Sequence, residues 1–269
     1  MYKFRQSLAH LYMGAFLIYL LIPLLVMAGA AFNDSKLPSI VPWKGTTGRW
    51  FVELAADERM WIAFRNTIVV ALAVAVLAVI VGTAAAILIN SISGRLRSII
   101  YGLMISTILI PGAVIGISTL LMWNKIGVPP GLHLSVLGQV SYIAAMVMLL
   151  VLARLQSFDP ALEEAALDLG ASHGQVMKRI LLPHLYPAIG AGAAVAFFQS
   201  IENFNVTQFT RGGADTLTVY VFSKVRAGIT PTINALAVIM IGITIIMAIL
   251  YEVRRRRIER RMAQITVEE

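Results

Sequence analysis

One carboxylate of this 269-residue chain sits inside an apolar run: Glu202, in the stretch FFQSIENFNVTQF near the outer end of the run 187–204. An ionisable group there is costly, and by default it faces a polar interior or a pathway. Gln199 and Asn203 add amides beside it, and Phe198 and Phe204 offer aromatic faces over which a cation can rest. Such a set would bind a cationic or amino-bearing solute. The alternative is that Glu202 snorkels to the interface or pairs with an arginine. Pro111 and Gly112 interrupt another apolar run, with Gly116 at GxxxG spacing. Proline frees a backbone carbonyl, which is tolerable only against a neighbouring helix or a polar cavity, so Pro111 reads as a structural kink or as part of the pathway.

Bond-making chemistry is not legible. The chain contains no G-x4-G-K-[ST] segment, so it does not itself cradle ATP phosphates. No nucleophile–base pair stands out, and no catalytic residue is assigned. With no cysteine, disulfides, thiolate metal sites and cysteine nucleophiles are excluded. His10, His133, His173 and His184 are scattered without ligand spacing, so no metal site is expected.

These residues must be held by membrane-spanning elements. The chain is 58% hydrophobic and 13% charged, with a mean hydropathy of +0.80. Soluble domains are nearer half apolar and a quarter charged, so the excess apolar surface faces lipid. Hydrophobic length predicts six helical spans, at about 11–31, 61–89, 99–123, 136–153, 187–204 and 233–253, within a single domain of residues 1–269. The first is long enough to be a retained span rather than a cleaved signal. The net charge of +8 falls in short patches between the apolar runs, densest at Arg254 to Arg257. That placement fits the positive-inside rule and not a nucleic-acid surface. With Lys3, Arg5, Arg95, Arg97, Arg154, Lys178, Arg179 and the arginines at 254–257, 260 and 261 inside, both termini are cytoplasmic. The segment 33–60, with Pro38, Pro42, Trp43 and Trp50, then reads as an ordered outer loop, either a connector or a docking surface.

Between the fourth and fifth runs, residues 157–186 carry local folding signals. Asp159 can cap a helix that has Pro160 in its first turn. Glu163 and Glu164 suit the positive end of the helix dipole, and Gly170 is a natural stop. Ser172 and Gln175 then make a capping-box pattern for a second helix, running to about Leu182, with Pro183 as its boundary. Leu162, Ala165, Ala166 and Leu169 share one face of the first helix; Val176 and Ile180 line up on the second. Two well-capped helices joined at a glycine read as a rigid docking plug or as a pair lying on the membrane surface.

The loop resembles the EAA motif of permease subunits in binding-protein-dependent ABC importers: Glu-Ala-Ala, three residues, Gly, nine residues, Ile-x-Leu-Pro. Here these are Glu164, Ala165, Ala166, Gly170, Ile180, Leu182 and Pro183, with the spacing intact. The resemblance implies an all-α integral membrane fold of six transmembrane helices, with a cytoplasmic coupling helix seated in a groove of an ATPase subunit. It implies that Glu164, Ala165, Ala166, Asp168 and Gly170 make that contact, with Ile180, Leu182 and Pro183 completing the motif. It implies two copies of an ATP-binding cassette ATPase carrying ATP-Mg, a second related permease and an extracytoplasmic solute-binding protein. The chain would then be a non-catalytic subunit of the bacterial inner membrane, with lipid around it and no cofactor of its own. Three tracts look like the second permease subunit of spermidine/putrescine importers: IPLLVMAGAAFNDS, FDPALEEAALDLGAS and GITPTINALA. Related permeases for iron, thiamine and phosphonates share much of this likeness. Polyamine permeases tend to carry paired acids where this chain has Glu202-Asn203. A self-sufficient channel or secondary transporter is the other class, and it has no need of a capped docking plug.

Overall fold

Leucine-, alanine- and isoleucine-rich runs of this length satisfy their backbone polar groups within a helix, and helices account for nearly all regular structure. The structure, a computed structural model, describes residues 2–228 and 230–268; side chains at 2–5, 7, 8 and 258–268 lie outside the described residues. So do Lys3, Arg5, Arg260 and Arg261, which enter the expected orientation, and Ile229 of the tract GITPTINALA. In chain order the helices are α1 (Tyr2–Phe32), α2 (Arg49–Ala55), α3 (Glu58–Ser91), α4 (Gly94–Leu109), α5 (Gly112–Lys125), α6 (Leu132–Leu155), α7 (Pro160–Asp168), α8 (His173–Val176), α9 (Leu182–Ile201), α10 (Thr207–Thr210), α11 (Leu217–Ala227) and α12 (Pro231–Glu268). A π-helical turn, Met177–Leu181, joins α8 to α9.

Two compact units form. The first takes the stretch up to Glu58 and the stretch from Val221 onward. In it α1 and α2 pack on α12. Leu17, Ile18, Ile245 and Ile246 remain exposed on these long helices, as lipid-facing side chains are. The segment after α1 folds around the buried Asn33, whose amide donates to the carbonyls of Ser39 and Pro42 and accepts from the Lys44 N–H. Trp50 donates its indole N–H to the Asn33 carbonyl at 2.8 Å.

The second unit is Arg59–Tyr220. Its core gathers Ile89, Ile143, Val147, Met148, Val151 and Leu185. Glycine permits close helix approach: a Cβ on Gly82 of α3 would lie 2.6 Å from the Ala144 carbonyl oxygen of α6.

Among the described residues five helices are long and apolar enough to cross a membrane: Ala9–Phe32, Glu58–Ser91, Leu132–Leu155, His173–Ile201 and Pro231–Arg257. The run expected as a third span, 99–123, is not one straight helix. α4 and α5 pass the same test only together, bent by 107°. The residue before a proline is pushed out of the α region. Ile110 accordingly has φ −78° and ψ 129°, and Pro111 caps α5, its carbonyl accepting from Val114 at 2.9 Å. Pro111 therefore marks a sharp bend, not a mild kink.

The expected boundary at Pro183 is also absent. Helix runs on from His173 to Ile201. Proline lacks an N–H, but at the first positions of α9 it comes after a turn already re-registered to i→i+5 bonding, so the missing donor leaves the helix unbroken. The wider turn also rephases the helix face: Val176 is buried while Ile180 is only half-buried. The run expected at 187–204 thus begins upstream and ends at Ile201, which leaves Glu202 as the cap of α9, exposed, rather than inside a span.

Candidate functional site

The second unit holds two sites. The first is the loop around α7. Asp159 caps α7, accepting from the Ala161 N–H at 3.0 Å, with Pro160 at the first position. At the other end the Gly170 N–H reaches the Leu167 carbonyl and the Ala171 N–H reaches the Ala166 carbonyl, at 2.9 and 3.0 Å. This pair of bonds closes the helix through a left-handed residue, and Gly170 supplies it with φ +85°. Nothing lies within 4 Å of a Cβ placed there, so a larger residue would be opposed by backbone conformation and not by crowding.

The capping box begins two residues further on. Ser172 Oγ accepts from the Gln175 N–H, and Gln175 Oε1 accepts from the Ser172 N–H at 2.8 Å. α7 buries none of its residues. Leu162 is 54% exposed and Leu169 89%, so the apolar face of α7 has no cover within the described chain. Glu164, Ala165, Ala166, Asp168 and Gly170 all lie on α7 and its cap. Ile180, Leu182 and Pro183 lie elsewhere, in the π turn and the start of α9.

The second site lies at the far end of α9. A cavity of about 300 Å³ is lined by Ile108 and Ile110 of α4 and its end, Gly112 and Ile115 of α5, Tyr142 of α6, and Gln199, Glu202, Asn203, Phe204 and Asn205. Of the residues expected in a pathway, it brings together Gln199, Glu202 and Asn203. Phe198 does not line it; this ring is 59% exposed and meets Phe197 edge-on at 5.7 Å. Pro111 does not line it either, although its neighbours Ile110 and Gly112 do. The lining holds one acid and no base. Glu202 sits where α9 ends, so the carbonyl end of the helix dipole adds to its negative potential.

The chain from 202 to 210 is pinned from two sides. Down one face of α6, Ser135, Gln139 and Tyr142 bond across to it. The Ser135 and Thr210 hydroxyls pair at 2.8 Å. Gln139, fully buried, donates to Thr207 Oγ1 at 2.9 Å and accepts from Ser200. Asn203 donates to the Tyr142 hydroxyl and accepts from the Val206 N–H. Val206 also fills a socket of glycines from α5 and α6. A Cβ on Gly116 would lie 2.9 Å from the Val206 carbonyl oxygen, and one on Gly138 2.8 Å from Val206 Cγ1. Ser135, Gln139, Tyr142 and Asn205 do not stand out in the sequence. The signal for the first three is their i, i+4, i+7 spacing in an otherwise apolar run.

The chain as a whole matches known proteins in sequence and fold. The family described as binding-protein-dependent transport system inner membrane component matches residues 78–264. The putrescine transport system permease protein PotI of Escherichia coli K12 is 37% identical over 233 residues, covering 83% of this chain and 82% of its own length. The spermidine/putrescine transport system permease protein PotC of the same strain is 28% identical over 239 residues, 88% of this chain and 90% of its own. In fold, the chain is similar to a bacterial ABC transporter involved in the import of the acidic polysaccharide alginate. The TM-score is 0.71 at 20% identity, over 92% of this chain and 94% of that one. A second structure, of a bacterial alginate ABC transporter in complex with a pentasaccharide-bound periplasmic protein, gives 0.70 at 18% identity, over 93% and 92%.

Proposed function

The chain belongs to the binding-protein-dependent transport system inner membrane components, non-catalytic permease subunits of ATP-driven importers, and from that premise we propose that it forms half of a pathway for a small amino-bearing solute such as a polyamine. ATPase subunits, two copies carrying ATP-Mg, drive it through the loop 157–186. A second, related permease supplies the other half of the pathway. A solute-binding protein delivers from outside, a role supported by the alginate relative solved with its periplasmic protein. Both termini lie in the cytoplasm.

The observation that carries this reading is one helix. From His173 to Ile201 it runs unbroken, about 43 Å at 1.5 Å per residue, from the capped loop to the cavity at Glu202. α7, with Glu164, Ala165, Ala166, Asp168 and Gly170, presents an uncovered apolar face for the ATPase groove. Ile180, Leu182 and Pro183 sit at the foot of the lever that would carry closure of the ATPases to the cavity. The solute reading rests on the putrescine and spermidine named in the relatives and on the cavity's single carboxylate. A lining without Lys or Arg offers a phosphonate no charge-assisted donor.

Uptake and ATP hydrolysis by the reconstituted complex test the coupling half. Gly170→Val forces a β-branched residue to φ +85°, and Ala166→Trp holds the two proteins apart. Both are expected to insert at normal abundance and to lose solute-stimulated hydrolysis. Gly170→Asn, which tolerates the left-handed region, should keep it. If Val and Trp variants insert and import at wild-type rate, the loop does not couple. Because the chain has no cysteine, single-cysteine labelling reads the topology. Lys44→Cys should react from outside and Ser93→Cys only after permeabilisation; the reverse pattern overturns the orientation.

A further inference from the structure

We propose that Arg154 and His184 are positioning residues that clamp the neck of the loop, so that α6 and α9 answer the ATPases as one two-helix lever. The proposal rests on the reading of the loop as the coupling element. The loop hangs from two stems, the end of α6 and the start of α9. Its neck decides whether a push on α7 turns both stems or only one.

The two residues lie 30 apart in sequence and bond to each other twice. Arg154 Nε donates to the His184 carbonyl at 3.1 Å, and His184 Nε2 lies 3.3 Å from the Arg154 carbonyl oxygen. A carbonyl only accepts, so the second bond needs a proton on Nε2, which one neutral tautomer and the imidazolium both carry. Each bond meets a backbone group at a weak place. Arg154 is the last residue but one of α6, where carbonyls have no partner within the helix. The Ser157 N–H and hydroxyl share its carbonyl, at 3.1 and 2.8 Å. His184 is in the first turn of α9, just before Pro187, which has no N–H for the carbonyl four residues back. Arg154 thus grips α9 at the turn whose own ladder lacks a bond. Phe158 closes the neck from the loop side, its ring edge-on to His184 with centroids 5.3 Å apart. Leu155 and Leu185, the next residue on each stem, are buried in the core.

The same two helices are tied again at their other ends. Gln139 of α6 accepts from Ser200 of α9, and the Tyr142 hydroxyl accepts from Asn203 just beyond it. Between the ties a Cβ on Gly192 of α9 would lie 2.9 Å from Val147 Cγ1 of α6. The π turn Met177–Leu181 lies on the loop side of the clamp. Without the clamp, a displacement of α7 is absorbed at that wide turn or bends α9 alone. With it, α6 is drawn along, and with α6 the bonds that hold 202–210.

The test separates the bonds from the charge. At 154 glutamine sets an N–H donor where arginine has Nε, and methionine fills the same length with none. At 184 glutamine supplies the Nε2 donor and leucine removes it. Spin labels go on Ser141→Cys of α6 and Gly190→Cys of α9, both exposed in a chain without cysteine. In the reconstituted complex their separation should stay the same on adding ATP, in wild type and in Arg154→Gln and His184→Gln. In Arg154→Met and His184→Leu it should shift with ATP. These two variants should keep the ATPase subunits bound, the melting temperature and basal hydrolysis, yet lose uptake of putrescine, the solute named in a relative, by about fivefold, the effect of one lost hydrogen bond. The glutamine variants should stay within about twofold of wild type. A separation that changes with ATP in wild type would overturn the proposal. So would equal losses in a glutamine variant and its apolar counterpart, unchanged uptake in Arg154→Met and His184→Leu, or a loss accompanied by early melting. Gly170→Val marks the underlying reading: if it uncouples while the clamp variants do not, the loop couples and only the clamp fails. If Gly170→Val imports at wild-type rate, the loop reading fails and the clamp with it.

Discussion

The loop 157–181 and the segment 202–210 lie at the two ends of one helix and are built by opposite means. The loop is held by its nearest neighbours. Asp159 bonds two residues on, Ser172 and Gln175 bond three apart, and Gly170 closes α7 through carbonyls three and five residues back. Its outer face, with Leu162 and Leu169, stays exposed among the described residues. The segment 202–210 is held by residues some 61 to 75 positions away in sequence, on α6, and by glycines of α5. As the docking plug proposed here, the loop would keep its shape when the rest of the protein moves, and local bonds suit that role. A cavity wall must move with the helices it joins, so distant bonds suit it.

This contrast predicts how each region breaks. The largest effect is expected from Gly116→Val, since its Cβ would meet Val206 backbone at 2.9 Å with no flexible atom to give way. Overpacking of this kind costs about 1–3 kcal/mol. The complex should lose thermal stability and uptake together, measured by melting in detergent and by transport in proteoliposomes. Gln139→Leu should come next. It leaves Ser200 and Thr207 without their buried partner, a loss of about 1–3 kcal/mol, and it too should lower the melting temperature along with uptake. The loop should answer differently. Ser172→Ala removes one cap bond and about 1 kcal/mol from a short surface helix. Its melting temperature should stay at the wild-type value while coupled hydrolysis falls by a few-fold at most. A Ser172→Ala variant that melts early would erase the distinction between the two regions.

The same distinction decides what was legible in the sequence. Asp159, Pro160, Gly170 and the Ser172–Gln175 box obey rules of three or four residues, and each takes the conformation those rules dictate. Pro183 misled for a related reason. The rule that proline ends a helix assumes α-helical bonding upstream, and the π turn at Met177–Leu181 removes that assumption. Pro111 was legible as an interruption but not as a 107° bend, because the angle depends on what α4 and α5 pack against. The ladder of Ser135, Gln139 and Tyr142 left only its spacing in the sequence, because its partners lie beyond a loop and most of another helix. Glu202 stood out by its charge, whereas Asn205 carries no signal until the fold sets it beside Gly112.

The claim that α7 is the surface on which an ATPase docks is tested most directly at Leu169, 89% exposed beside the Gly170 cap. A photo-crosslinking residue placed there, in the complex in native membranes, is irradiated with and without ATP. The account predicts an adduct of this chain with the ATPase subunit, its yield changing with nucleotide. Crosslinks to lipid alone, or to another permease with none to the ATPase, would contradict it.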